Sequence, residues 1–206
     1  MLPNPGRETN PLLADTALFF GLWLRKPLQI AAVCPSGTTV AAVMARLVDP
    51  GRPGFLLELG AGTGSLTRGL VETGWSPERV IAYERESRLA EILRRELVGI
   101  RAVLGDARDL ETQLTRLRVD QLSAVVSSLP IKWFPREAQR AVLRPCFARL
   151  GSGGRFLQLT NAFSSPLPIE QLGLDGREAA RVWRNLPPAQ IWAYTMGSGG
   201  SRWSLP

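Results

Sequence analysis

The sequence predicts an α/β fold on a mostly parallel seven-stranded sheet with an antiparallel last strand and N-terminal helices. Three observations predict it. Short apolar runs at Phe55–Leu59, Val80–Glu84, Arg101–Leu104, Gln121–Pro130 and Arg155–Thr160 are separated by stretches of helical character, the alternation that builds a parallel sheet. The first run breaks into Gly60, Gly62 and Gly64 and then into a helix start at Ser65, the strand–turn–helix context of a nucleotide-type binding loop. Two further runs, Arg177–Asn185 and Ala189–Met196, flank Leu186-Pro187-Pro188 and read as an antiparallel pair closing the sheet.

The chain divides into a helical segment over 1–53, the sheet domain over 54–196 and a Gly- and Ser-rich flexible tail over 197–206. A length of 206 residues suits one domain with a real core. Apolar residues at 45% against 21% charged place it among globular rather than disordered chains. The net charge of +7 is carried by arginine, since only Lys26 and Lys132 are lysines. Such a surface favours polyanions, either nucleic acid or anionic lipid headgroups. The absence of histidine removes the usual zinc sites, the Ser-His-Asp triad and any histidine base, so no metal is expected. Cys34 and Cys146 lack metal-ligand spacing and read as small buried residues. No signal peptide or bilayer-length apolar run is visible, which makes a cytoplasmic protein the expectation.

Two acids sharpen the glycine motif. Glu58 lies at the end of the first strand, and Glu84 closes the second, 20 residues after Gly64. An acid at the tip of the second strand suits the hydroxyls of a ribose, in a dinucleotide or in S-adenosylmethionine. A carboxylate beside the loop disfavours a pyrophosphate but suits a donor that carries only ammonium and sulfonium charge. Asp106 ends the third strand, in Gly105-Asp106-Ala107, where α/β ligands sit; helix capping is its other reading.

In the leading segment, Pro11 suits a helix start, and Leu12–Leu24 is apolar around most of its circumference before Arg25, Lys26 and Pro27. Such a helix either lies in a membrane interface or caps the core. Ser36 is a candidate N-cap for a helix over Thr38–Val48. Pro135 opens a helix through Leu150, Gly151–Gly154 turns the chain, and Asn161–Gly176 is a long irregular segment of the kind that carries substrate.

The segment Glu58-Leu59-Gly60-Ala61-Gly62-Thr63-Gly64 resembles motif I of the class I S-adenosylmethionine-dependent methyltransferases. Further stretches are similar to bacterial phospholipid N-methyltransferases. These are Phe19-Phe20-x-x-Trp23-Leu24-x-x-Pro27, Ala32–Ser36, Ser127-Ser128-Leu129-Pro130-Ile131-Lys132-Trp133-Phe134-Pro135, and Val182-Trp183-Arg184-Asn185-Leu186-Pro187-Pro188-Ala189 on to Tyr194. The likeness covers roughly residues 17 to 195, and its Trp-Arg-Asn-Leu-Pro-Pro-Ala ending is more specific than the glycines. Family members usually carry Pro where this chain has Ala61. The resemblance implies a Rossmann-like class I methyltransferase fold and stepwise N-methylation of phosphatidylethanolamine toward phosphatidylcholine at an anionic membrane surface. It implies no stable nucleic-acid partner.

The resemblance also implies roles for individual residues. Glu58, Gly60, Ala61, Gly62, Gly64, Glu84, Asp106, Ala107 and Ser127 would hold the cofactor. The amine would meet Ser128-Leu129-Pro130, where many amino-group methyltransferases have Asn or Asp, then Pro-Pro-Tyr or Leu-Pro-Tyr. The carbonyl before the proline still accepts from an amine, but Ile131 replaces the aromatic on which a flat base would stack. Trp133 and Phe134 either restore that stack or pack the loop.

Trp133, Trp183 and Tyr194 are candidate cation–π partners for a methylated ammonium, with strand packing the other reading of the last two. Arg184 would hold a lipid phosphate or sit as a solvated charge. Proton acceptors for the amine are a carboxylate, Tyr194, the lipid phosphate or solvent. The rival functions are an RNA adenine N-methyltransferase, which shares the module and the basic charge, and a cofactor-binding membrane scaffold without transfer.

Overall fold

The structure, a computed structural model, describes residues 37–162, 164–183 and 188–197. The expected helix over Leu12–Leu24, the Ser36 cap, Cys34, Arg184 and nearly all of the expected tail lie outside the described residues.

Seven strands form one sheet in the order β3-β2-β1-β4-β5-β7-β6: β1 (Phe55–Leu59), β2 (Val80–Glu84), β3 (Arg101–Leu104), β4 (Leu122–Ser127), β5 (Leu150–Thr160), β6 (Leu174–Val182) and β7 (Ala189–Met196). The pairs from β3 through β5 are parallel, and β7 is antiparallel to both β5 and β6. The chain reverses between β1 and β4, so the loops leaving these two strands flank the switch point where α/β ligands bind. The helices are α1 (Gly37–Ala45), α2 (Ser65–Glu72), α3 (Ser87–Glu96), α4 (Leu110–Arg116), α5 (Arg136–Arg149) and the short α6 (Ile169–Leu172).

β1 and β4 are apolar nearly throughout because both of their faces are covered, as in parallel sheets generally. One core joins Leu57, Leu59, Val125, Phe156 and Tyr194 with Val142, Leu143 and Phe147 of α5. A second joins Leu56, Val80, Val126 and Leu157 with Leu70 of α2 and with Val40 and Met44 of α1. Complete burial of one such Leu or Val stabilises by about 1.5–3 kcal/mol. Thus α1, part of the expected leading segment, packs into the core of the sheet domain. Cys146 is fully buried in α5, where its thiol donates to the Val142 carbonyl.

Two expectations are corrected. The Gly151–Gly154 run is not a turn ahead of β5 but lies within it. The register passes from Leu122 opposite Leu150 to Ala124 opposite Arg155, so the glycines fill an irregular stretch of the ladder. The segment to Gly176 is not irregular throughout. α6 ends at Gly173, whose φ of +60° terminates the helix, and β6 starts at Leu174, three residues before the expected Arg177.

Candidate functional site at the carboxyl edge of the sheet

The loop after β1 is tied to its neighbours on both sides. The Gly60 and Ala61 amides donate to the Tyr83 carbonyl of β2 at 2.9 and 3.2 Å. Gly60, Gly62 and Gly64 have φ of +79°, +58° and +80°. At Gly60 a Cβ would also meet Ser128 Oγ at 3.0 Å and Leu129 Cδ2 at 3.1 Å. Only glycine meets both the conformation and the close approach there. At Gly62 a Cβ would meet nothing within 4 Å, so the crest of the loop faces open space.

Glu84 closes this cradle. Its Oε2 accepts from the Gly62 amide at 2.8 Å, and its Oε1 accepts from the amides of Arg85 and Glu86 at 2.8 and 2.9 Å. Three backbone donors fix the carboxylate. One of its roughly four acceptor positions remains for a ligand hydroxyl.

Glu58 sits beneath the loop rather than in it. It is 1% exposed, and Thr67 of α2 donates to its Oε2 at 2.5 Å. Burial pushes its carboxyl up to about 8 against the opposing Thr67 hydrogen bond, and the charge of Glu84 adds to the rise. It presents a polarisable acid below the backbone of the glycine turn. Asp106 caps the one-turn helix Ala107–Asp109: its Oδ1 accepts from the Arg108 amide at 2.9 Å, and its carboxylate pairs with the Arg108 guanidinium at 2.6 Å. That bidentate pairing holds its carboxyl below the usual range. Ala107 forms the first residue of that turn.

The exit of β4 meets the glycine loop directly. The Ser128 hydroxyl donates to the Gly60 carbonyl at 2.6 Å, and the Ser128 amide donates to Leu59 O at 3.0 Å. Ser127 is fully buried, and its Oγ accepts from the Leu129 amide at 3.3 Å. The Leu129 carbonyl before Pro130 accepts from Gln158 Nε2 at 2.8 Å. The Ile131 amide also donates to it at 2.8 Å, so both lone pairs of this carbonyl are taken and the expected acceptance from an amine is not available there. Ile131 is buried in the core at 1% exposure and offers no platform.

The remaining candidates are dispersed. Tyr194 lies opposite Phe156, two residues below the Ser127–Gln158 row, fully buried with its hydroxyl 2.9 Å from Ser165 Oγ. Burial pushes its phenol up to about 12. It belongs to the core rather than to the edge, so the structure does not bring it to the amine subsite. Trp133 and Trp183 are 53% and 69% exposed. Lys132 Nζ lies 5.7 Å from the Trp133 ring centre, and the Arg181 guanidinium 5.1 Å from that of Trp183.

Sequence reading missed Thr67, Gln158 and Trp192. Gln158 (β5) pairs with Ser127 on one side and with Trp192 (β7) on the other, so the three share a row at the carboxyl edge. The available signal was a lone amide within the apolar run Arg155-Phe156-Leu157-Gln158-Leu159, which is costly unless it is used.

Residues 56–154 match a family described as "Methyltransferase domain". Over 180 residues the chain is 32% identical to an ornithine lipid N-methyltransferase of Singulisphaera acidiphila, covering 86% of this chain and 94% of that one. It is also 32% identical over 137 residues to ribosomal RNA small subunit methyltransferase A of Phenylobacterium zucineum, covering 61% of this chain and 46% of the other. Among solved structures, 1,6-didemethyltoxoflavin-N1-methyltransferase of Burkholderia thailandensis, with bound 1,6-didemethyltoxoflavin and S-adenosylhomocysteine, superposes with a TM-score of 0.58. It is 17% identical and covers 95% of this chain and 93% of its own, a likeness of fold.

Proposed function

Since this chain belongs to the class I S-adenosylmethionine-dependent methyltransferases, we propose that it methylates the amino group of a lipid, with phosphatidylethanolamine and its mono- and dimethyl forms as acceptors. The observation that carries the reading is the junction of the two loops. Ser128 bonds to Gly60, which sets the Ser128-Leu129-Pro130 turn leaving β4 beside the cofactor loop. The cradle suits the cofactor: Gly62 faces open space, Glu84 is held as an acceptor, and Glu58 places an acid beneath a cationic ligand.

When bound, S-adenosylmethionine would supply an electrophilic sulfonium methyl, whose transfer to the amine nitrogen would leave the electron pair on sulfur and release one proton. The chain contributes alignment and exclusion of water. Ser128 locks the two loops in register, and the Ser128-Leu129-Pro130 turn, held rigid by the Ile131 amide and Gln158 on the Leu129 carbonyl, forms the wall against which the amine is aligned. Asp106 and Ala107 support the far side of the cradle. Neither Tyr194 nor Glu58 takes the proton in this account, because Tyr194 is spent on Ser165 and Glu58 on Thr67. The amine sheds it to the lipid phosphate or to solvent.

A lipid acceptor is supported by the long match to the ornithine lipid enzyme, since ornithine and ethanolamine both end in a primary amine. It is supported also by the carboxyl edge, where β4 and β6 both end and where exposed Trp133 and Trp183 each carry a cation. Tryptophan with a basic neighbour suits the headgroup layer of an anionic bilayer. We propose further that Arg184 and the leading segment, outside the described residues, bring basic charge and apolar surface to a membrane, which would make this a peripheral protein on the cytoplasmic face of the plasma membrane. Among the described residues no helix is long and apolar enough to cross a membrane. The test is incubation with methyl-tritiated cofactor and liposomes that carry either phosphatidylethanolamine or ornithine lipid. Label in phosphatidylethanolamine supports the reading, and label in ornithine lipid alone replaces the acceptor.

A further inference from the structure

Glu58 is an acid in an apolar slot. Its register neighbours are Ala82 on β2 and Val126 on β4, and it is almost completely buried. Among the described residues its side chain takes one hydrogen bond, from Thr67 Oγ1 at 2.5 Å, and the charge that acts on it is that of Glu84 at the end of β2. Thr67 is itself fully buried, in the first turn of α2 directly after the glycine loop. α2 has no room to shift, because α1 lies so near that a Cβ on Gly69 would meet Ala41 Cβ at 2.7 Å. Burial favours the protonated acid, and the charge of Glu84 adds to that. The Thr67 hydroxyl works the other way, since it donates to the ionised form. The balance leaves Glu58 titrating near 8. Glu84 lines the cradle, so charge in the cradle reaches Glu58 without contact, and a cation there acts with the opposite sign.

We infer that Thr67 is a positioning residue for the cofactor: its hydroxyl lets Glu58 ionise and stand as the counter-charge beneath a cation on the glycine loop, so that cofactor uptake near neutral pH expels the Glu58 proton to solvent. This rests on the cofactor's place on the glycine loop and is independent of the methyl acceptor. Linkage makes the two events reciprocal: the ease with which Glu58 ionises sets how tightly the cation is held. While Glu58 is protonated in the free protein, each unit by which its titration rises costs up to about tenfold in affinity. Without the Thr67 hydroxyl the acid titrates higher. The cofactor then binds more weakly at neutral pH and recovers where the altered acid also ionises. S-adenosylmethionine offers two cations, an ammonium and a sulfonium, and S-adenosylhomocysteine keeps only the first.

The experiment measures S-adenosylmethionine and S-adenosylhomocysteine binding by calorimetry, with no lipid present, for wild type, Thr67→Val, Thr67→Ser, Glu58→Gln and the Thr67→Val, Glu58→Gln pair. Thr67→Val keeps the shape and removes the hydroxyl. It should lower S-adenosylmethionine affinity roughly tenfold near about pH 7 and only about twofold near about pH 9. The cofactor's own amino group titrates in this range, but both proteins meet the same ligand, so that effect cancels in the ratio. Thr67→Ser should restore most of the affinity, and in the Glu58→Gln background Thr67→Val should cost less than about twofold. An equal loss on S-adenosylhomocysteine supports the inference through the ammonium, and a loss on S-adenosylmethionine alone supports it through the sulfonium. No loss near neutral pH, or a loss that persists at high pH or in the Glu58→Gln background, overturns it and leaves Thr67 as a packing residue. Urea denaturation accompanies each variant, and if Thr67→Val does not fold, Thr67→Ala takes its place in the same comparison. Unchanged affinity in Gly60→Ala would instead overturn the placement of the cofactor on the loop, and this inference with it.

Discussion

The Ser128 hydroxyl donates to the Gly60 carbonyl at 2.6 Å, so the loop leaving β4 and the glycine loop leaving β1 form one unit. Ser128→Ala should weaken that unit by about 1 kcal/mol. The expected outcome is a lowered kcat with a nearly unchanged melting temperature. Steady-state kinetics over a range of lipid and cofactor concentrations measure it.

Gly60→Ala should do more. A side chain there takes on a φ of +79° and crowds Ser128 Oγ and Leu129 Cδ2. The left-handed conformation alone costs roughly 1–2 kcal/mol, about tenfold in an equilibrium. Calorimetry should show cofactor affinity reduced by at least that factor. Unchanged affinity would remove the loop from the cofactor site.

The glycine loop was legible because its constraints are local. Positive φ at alternate residues demands glycine, and a buried two-sided strand demands the apolar run before it. The β1, β2 and β3 bounds follow from that contrast. The last two strands were less legible. β6 starts at Leu174 inside a segment rich in Gly and Pro, and its identity comes from pairing with β7 rather than from its own pattern. Tyr194 shows the same limit. Strand parity places it on the face with Gln158, but only the register with Phe156 shows that it sits too deep to touch substrate. The roles of Thr67 and Gln158 depend on partners 9 and 29 residues away, which composition does not reveal.

Glu58 gives a pH signature. Its folded-state carboxyl titrates near 8 against an ordinary value of 4.5, so the folded protein binds more protons between these values. The stability it permits is fully present below about 4.5 and is lost as pH rises through about 8. Urea denaturation of the cofactor-free protein should therefore show stability falling across that window, and Glu58→Gln should flatten the fall. A bound cation favours the ionised form, so cofactor binding near pH 7 should release protons. Calorimetry in buffers of different ionisation enthalpy detects that release, and its absence would mean that the ligand charge does not reach Glu58.

Asp106 separates two roles. As a cap bonded to the Arg108 amide, its replacement by Ala should cost about 1 kcal/mol of stability. If it also touches the adenine, Asp106→Ala should lower cofactor affinity as well. Urea denaturation and calorimetry on the same variant distinguish the cap alone from both.

Trp133 and Trp183 should carry membrane contact without touching the core. Trp133→Ala with Trp183→Ala should reduce sedimentation with anionic liposomes several-fold and leave melting and cofactor affinity unchanged. Removing Met1 to Lys26 tests the leading segment in the same assay.

The most direct test offers methyl-tritiated S-adenosylmethionine to the protein with phosphatidylethanolamine liposomes and ribosomal RNA in one vessel, followed by phase separation. The account predicts label in the organic phase, in the lipid headgroup. Label in the RNA, or bound cofactor with no transfer to either acceptor, would contradict it.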